Sequence, residues 1–332
     1  MTTSREIRLK SRPVGVPTSA NFETASVTLP APGPGEVQVR NTWMTVDPYM
    51  RGRMNDVKSY SPPFALGEAM QGGAVGEVTT SNDPSLKVGD LVQSFFGWRE
   101  AFNAPAAAVQ KLDTHGLPPE AFLGAVGMPG LTAYAGLLRV AALKDGDVVF
   151  VSGGAGAVGQ MVCQIAKIKG HTVIASAGGA EKAAYLKELG VDHVIDYKAQ
   201  AIGPALAQAA PDGIDVYFDN VGGEHLEAAL NAARPFARFA LCGMISQYNA
   251  TDMGAGTRGL IQAVGKQLRL EGFIVSSHTD MQGAFVADMS AWIAAGKIKW
   301  RQTVEEGIEN APAAFLKLFN GENLGKMLVK LS

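Results

Sequence analysis

The chain has 332 residues, of which 47% are hydrophobic and 18% charged, and a formal net charge of −2. That balance describes a globular chain of about two domains with enough apolar mass for a sizeable core. It leaves no basic footprint for nucleic acid or a membrane surface. Cys163 and Cys242 form neither a disulfide framework nor a metal-ligand spacing, which suits a reducing cytoplasm. The polar start MTTSREIRLKSRP carries no apolar h-region, and no run approaches the ~18 apolar residues of a membrane span.

From residue 1 to about 117 the texture is short strands and turns. PAPGPG at 30–35 halts structure before EVQVR at 36–40, which alternates like a half-buried strand. GGAVGEV at 72–78 and VGDLV at 88–92 repeat the pattern of a strand beside a glycine corner, which predicts a small, partly closed barrel. Between them lie VDPYMRGRM at 46–54 and YSPP at 60–63, loop segments with exposed-type aromatics and methionines. Trp43, Phe64, Phe95, Phe96 and Trp98 give this half an aromatic supply, most of it expected in the core.

Near Glu120 the texture changes. MPGLTAY at 128–134 leads into an apolar helix through Val140, and VVFV at 148–151 reads as a buried strand. Gly154, Gly156 and Gly159, with Ala157 and Val158 between them, follow at once and open a helical pattern carrying Met161, Val162, Ile165, Ala166 and Ile168. Such glycines let the backbone approach a pyrophosphate, which the unpaired N–H groups of the helix start then hold. Strand and helix alternate afterwards: 172–176, 181–189, 193–195, 204–210, 215–219, 224–234 and 237–242, then a sixth strand at 268–275. This is the spacing of βαβ units, hence a doubly wound parallel sheet of Rossmann type. The stretch 249–265 reads as a loop with a short helix, and is expected to lie over the substrate as a lid. The tail from about 297 returns to short strands around a helix at 311–319, a texture that belongs with the first half.

The residues as a whole resemble the medium-chain dehydrogenase/reductase superfamily. VDPYMRGRM (46–54), MPGLTA (128–133), FDNVGG (218–223), CGMISQYN (242–249), ENAPAAF (309–315) and ENLGK (322–326) are similar to its zinc-independent group of prostaglandin, plant double-bond and curcumin reductases. The resemblance implies a GroES-like barrel domain at 1–121, a cofactor domain at 122–295, a returning segment at 296–332 and a homodimer.

An NAD site usually places an acid at the end of the second strand. Here that strand ends in Gly178-Gly179, which leaves room for a 2′-phosphate, and Lys182 is close enough in sequence to pair with it. The resemblance adds Tyr197 as a second phosphate partner; NADPH is the expected cofactor. The first domain, 1–121, has no cysteine and only His115, so the Cys and His ligands of a catalytic zinc are missing. Hydride transfer without a metal needs a substrate that is already electrophilic, and an α,β-unsaturated carbonyl fits. A neutral tyrosine can steady the enolate oxygen.

Tyr248 follows the fifth strand at the carboxyl end of the sheet, where ligands bind in this fold, and is the expected catalytic donor. The resemblance implies substrate contact for Tyr49, Tyr60 and Met128. It implies cofactor contact for Thr132, Asn220, Cys242, Gly243, Ile245, Ser246, Phe273, Ile274, Val275 and Asn323. Tyr134, Tyr185 and Tyr217 sit in helix or strand patterns and read as core. The expected activity is NADPH-dependent reduction of enones or enals. A quinone oxidoreductase and a non-catalytic NADPH-binding protein are the alternatives.

Overall fold

A computed structural model describes residues 1–252 and 256–331; the expected lid at 249–265 includes Met253, Gly254 and Ala255, which lie outside the described residues. Two compact units emerge, one of Met1–Leu123, Gln302–Asn323 and Met327–Ser332, the other of Gly124–Arg301 and Leu324–Lys326.

The first unit is built on the long strand Glu36–Thr45. Its first half pairs with Ala101–Pro105, its second half with Lys326–Lys330, and its other edge with Ala74–Ser81. Register shifts between Gln38 and Val39 and between Asn41 and Trp43 bend the strand, so one chain segment serves two directions of a seven-stranded sheet. The strands expected at 72–78 and 88–92 begin later, as Ala74–Ser81 and Leu91–Ser94. Helix Ala311–Asn320 packs Ala311, Ala314, Phe315 and Leu318 into the same core as Trp98 and Phe22. Trp98 stacks on Phe22 at 6.1 Å and meets the edge of Phe315 at 6.0 Å. Phe64 and Trp98 are core as expected, whereas Phe95 is 66% exposed and is not.

The second unit holds a six-stranded parallel sheet in the order His193–Asp196, Thr172–Ala177, Val148–Val151, Ile214–Asp219, Ala233–Leu241, Arg269–Gly272. Numbered along the chain this is 3-2-1-4-5-6, the Rossmann order, in which the crevice opens at the carboxyl ends of the first and fourth strands. Side chains alternate between the two faces. Phe150, Ile174, Ile195, Tyr217 and Phe239 join one core with helices Ile202–Ala209 and Gly223–Ala232. Val149, Val151, Val173, Ala175, Val216, Phe218 and Ala240 join the other with helices Met128–Ala135, Gly159–Ile168 and Gln282–Ala294.

The sixth strand is shorter than the expected 268–275. It stops at Gly272; Phe273 then turns inward to meet Phe218 edge-on at 6.1 Å, and Val275 opens a 3-10 stretch to Met281. The fifth strand begins at Ala233, four residues before the expected start. Tyr134, Tyr185 and Tyr217 are buried, as their patterns suggest. No helix among the described residues is long and apolar enough to cross a membrane.

Candidate active site

The glycine turn follows strand Val148–Val151 directly. Gly156 N–H closes onto the Gly153 carbonyl at 3.0 Å, and helix Gly159–Ile168 starts there. A Cβ on Gly159 would collide with the Gly153 carbonyl oxygen and stand 2.7 Å from Gly154 Cα, so only glycine lets the helix begin this close to the turn. The backbone of Gly154, Gly156, Ala157, Val158 and Gly159 thus meets a helix N-terminus, a cradle suited to a pyrophosphate. Gly325 N–H donates to the Ala155 carbonyl at 2.8 Å, which seats the segment just after Asn323 on the same turn.

A second group forms at the end of strand Thr172–Ala177. The Tyr197 hydroxyl lies over Gly178, 2.8 Å from where a side chain's first carbon would stand, with the Lys198 stem beside it at 3.0 Å. Lys182, in the first turn of helix Ala180–Glu188, is half-buried; burial and then the nearby charge of Lys198 lower its proton affinity. Two ammonium groups and a phenol at a helix start are the donor set for a phosphate. The Asp196 carboxylate already accepts the N–H groups of Gly179 (2.9 Å) and Lys198 (3.0 Å), which hold it in its charged form. Sequence reading names Lys182 and Tyr197 and misses Lys198; its signal was adjacency to Tyr197.

Beyond the fourth and fifth strands two turns pack together. Ile245 N–H donates to the Asn220 carbonyl at 3.4 Å, and Ser246 donates to the Val221 carbonyl through its N–H (3.1 Å) and its hydroxyl (2.6 Å). Cys242 and Gly243 lead into this turn, and burial pushes the Cys242 thiol up to about 12, so it stays a thiol. Tyr248 is half-buried, and its hydroxyl oxygen accepts the Met244 N–H at 3.3 Å. A Cβ on Gly243 would stand 3.0 Å from that oxygen, so the glycine makes room for it.

The remaining second-unit candidates lie in helix Met128–Ala135 and just after strand Arg269–Gly272. Thr132 gives its hydroxyl to the Met128 carbonyl at 2.7 Å, within its own helix. Met128 is partly exposed at the helix start. Phe273 N–H reaches the Leu241 carbonyl at 3.4 Å, and the Ile274 carbonyl accepts Ser277 N–H at 3.0 Å. Sequence reading also misses Asp219, which ends the fourth strand wholly buried; enclosure raises its pKa against the pull of surrounding donors.

In the first unit Tyr49 is half-buried and Tyr60 is 63% exposed. Burial and then the charge of Asp47 push the Tyr49 phenol well up, so it stays protonated. The Arg53 guanidinium lies within electrostatic reach of both phenols. It is anchored on the Pro62 carbonyl and Gln71 Oε1, both at 2.9 Å, and sits 4.1 Å above the Phe64 ring. Among the described residues no group of three or more His, Cys, Asp or Glu is arranged to hold a metal ion.

Comparisons with known proteins identify the family. The profile of an N-terminal domain of oxidoreductase matches residues 5–112, and that of a zinc-binding dehydrogenase matches residues 157–291. The NADPH-dependent curcumin reductase of Escherichia coli (strain K12) is 39% identical over 98% of this chain and 96% of its own length. The NADP(+)-dependent 2-alkenal reductase of Nicotiana tabacum is 40% identical over 99% and 98%. The crystal structure of CurA from Vibrio vulnificus in complex with NADPH superposes with a TM-score of 0.94 at 42% identity, covering 99% of each chain. The chain belongs to the medium-chain dehydrogenase/reductases, in the group that holds the prostaglandin, 2-alkenal and curcumin reductases.

Proposed function

We propose that the protein reduces the carbon–carbon double bond of α,β-unsaturated aldehydes and ketones, with Tyr248 as the hydrogen-bond donor to the carbonyl oxygen. It is an NADPH-dependent oxidoreductase. The residues fit that cofactor: the turn at Gly154–Gly159 suits the pyrophosphate, and Lys182, Tyr197 and Lys198 suit the 2′-phosphate. When bound, NADPH supplies a hydride for the β-carbon of the substrate.

The protein's own part is to manage the charge that appears on the carbonyl oxygen. A neutral phenol with an unperturbed pKa near ~10 keeps its proton at pH 7 and can donate it as a hydrogen bond. The observation that carries the reading is the Tyr248 hydroxyl itself. Its oxygen accepts the Met244 N–H, at the carboxyl end of the sheet. An accepted hydrogen bond polarises the O–H and makes it a better donor. Tyr49, Tyr60 and Met128 are the proposed substrate contacts, as the family resemblance implies. Curcumin and 2-alkenals, named for the relatives, both carry a conjugated carbonyl.

Tyr248→Phe tests the assignment. It should lower kcat on an enone by ~10²-fold, the scale of losing one oxyanion donor, with NADPH affinity unchanged. An undiminished kcat removes Tyr248 from the chemistry.

A further inference from the structure

Three turns of the cofactor unit meet at one residue that none of the site roles above uses. Asp219 ends strand Ile214–Asp219 and is wholly buried. Its main-chain carbonyl accepts the N–H groups of Cys242 (2.9 Å) and Gly243 (3.0 Å), the start of the turn that carries Tyr248. One carboxylate oxygen, Oδ1, receives four donors: the Tyr217 hydroxyl at 2.7 Å, Gly222 N–H at 2.8 Å, Val221 N–H at 2.9 Å and the Ser152 hydroxyl at 3.1 Å. Ser152 opens the glycine turn. Its hydroxyl accepts Asn220 N–H at 3.0 Å, and its carbonyl accepts Asn220 Nδ2 at 2.8 Å. The other carboxylate oxygen, Oδ2, is buried with no hydrogen-bond partner among the described residues.

A packing residue would not need this arrangement. Four donors on one oxygen fix it in direction as well as distance, and three of them belong to the glycine turn and the fourth-strand turn. The fourth-strand turn is held by two N–H groups, the glycine turn by a hydroxyl, and the Tyr248 turn by the same residue's carbonyl. Leaving Oδ2 unpaired in the interior costs stability. The cost is consistent with a carboxylate kept for what Oδ1 holds together.

We infer that Asp219 is a positioning residue: its carboxylate fixes the fourth-strand turn against the glycine turn, and with it the main-chain carbonyl that holds the start of the Tyr248 turn, so that cofactor affinity and turnover depend on one buried residue. The inference rests on the assignment of Tyr248 above for its turnover half, but not for its cofactor half.

The test compares Asp219→Ala, Asp219→Asn and Ser152→Ala with the wild type. NADPH Kd is read by nicotinamide fluorescence, kcat is measured on an enone at saturating NADPH, and folding is followed by thermal melts. Asp219→Ala should raise the NADPH Kd at least tenfold and lower kcat by a similar factor. Asp219→Asn, whose amide oxygen can take the same donors, should restore Kd to within about threefold of wild type. If Asp219→Ala does not fold, Ser152→Ala decides: it keeps the carboxylate but removes the glycine-turn hydroxyl, with its bonds to Asp219, Asn220 and Tyr217, and should raise Kd three- to tenfold. A folded Asp219→Ala with wild-type Kd overturns the inference. So does Asp219→Asn binding as poorly as Asp219→Ala, or Ser152→Ala with Kd unmoved. Should the wild type reduce no enone, the proposed function fails, and the Kd comparisons still judge Asp219.

Discussion

Lys182→Ala is the perturbation whose size follows most directly from the structure. The Tyr197 hydroxyl and the Lys198 stem lie over Gly178, and burial, then repulsion from Lys198, lower the proton affinity of Lys182. That repulsion turns to attraction when a dianionic phosphate stands between them. A hydrogen bond to a charged group contributes ~1.5–3 kcal/mol. Lys182 is only half-buried, so solvent screening points to the lower end, ~1.5–2 kcal/mol, or about 10–30-fold. Initial rates with NADPH and NADH, followed by loss of nicotinamide absorbance on one enone, give the two kcat/KM values. Their ratio should fall by about 10–30-fold through a loss on the NADPH side alone. Raising the salt concentration should shrink the effect. An unchanged ratio, or equal losses with both cofactors, would refute the phosphate role. Removing Lys198 as well should cut NADPH preference further, and a silent Lys198→Ala would remove that residue.

Three other outcomes follow from the geometry. Gly243→Ala should push the Tyr248 hydroxyl from its place, because the new Cβ would stand 3.0 Å from it; kcat should fall toward that of Tyr248→Phe, and a wild-type kcat contradicts this. Burial holds the His225 imidazole down at about 4, below its unfolded value near ~6.5, so the unfolded chain binds the extra proton first as pH falls. Stability should therefore drop by ~2 kcal/mol between neutral pH and pH 5, and His225→Leu should flatten that part of the melting profile. A parallel profile in the variant rules out His225 as the cause. Pairing of two chains through the outer edge of strand Arg269–Gly272 is proposed as the basis of a homodimer, as the family resemblance implies; light scattering should give twice the chain mass, and a single-chain mass counts against it.

Much of the second unit was legible because its signals are local. VVFV followed by the glycine turn and an amphipathic helix announces strand, turn and helix within about twenty residues, and the later strands repeat the period. Errors gathered at boundaries. Phe273 to Val275 look like strand by composition, yet Phe273 finds its place against Phe218, a partner more than fifty residues away. Phe95 carries no mark in the sequence that separates it from its buried neighbour Trp98. The candidate site divided in the same way. Lys182 could be named from the strand end beside it, whereas Lys198 shows its relation to Lys182 only once the second and third strands pair. Asp219 and Ser152 were invisible as a pair because parallel pairing, not sequence distance, sets their carboxylate and hydroxyl 3.1 Å apart. The roles of Tyr49 and Tyr60 came from the resemblance alone, since loop tyrosines pack as often as they bind.

The central claim is that this protein delivers hydride only to a double bond already activated by a carbonyl. Purified wild-type protein, assayed for nicotinamide oxidation or reduction against enals, enones, quinones and simple alcohols with each nicotinamide cofactor, tests it most directly. The account predicts rapid consumption of NADPH with enals or enones, much slower use of NADH, and no oxidation of alcohols. Turnover of alcohols or quinones with every conjugated aldehyde and ketone left intact would contradict it.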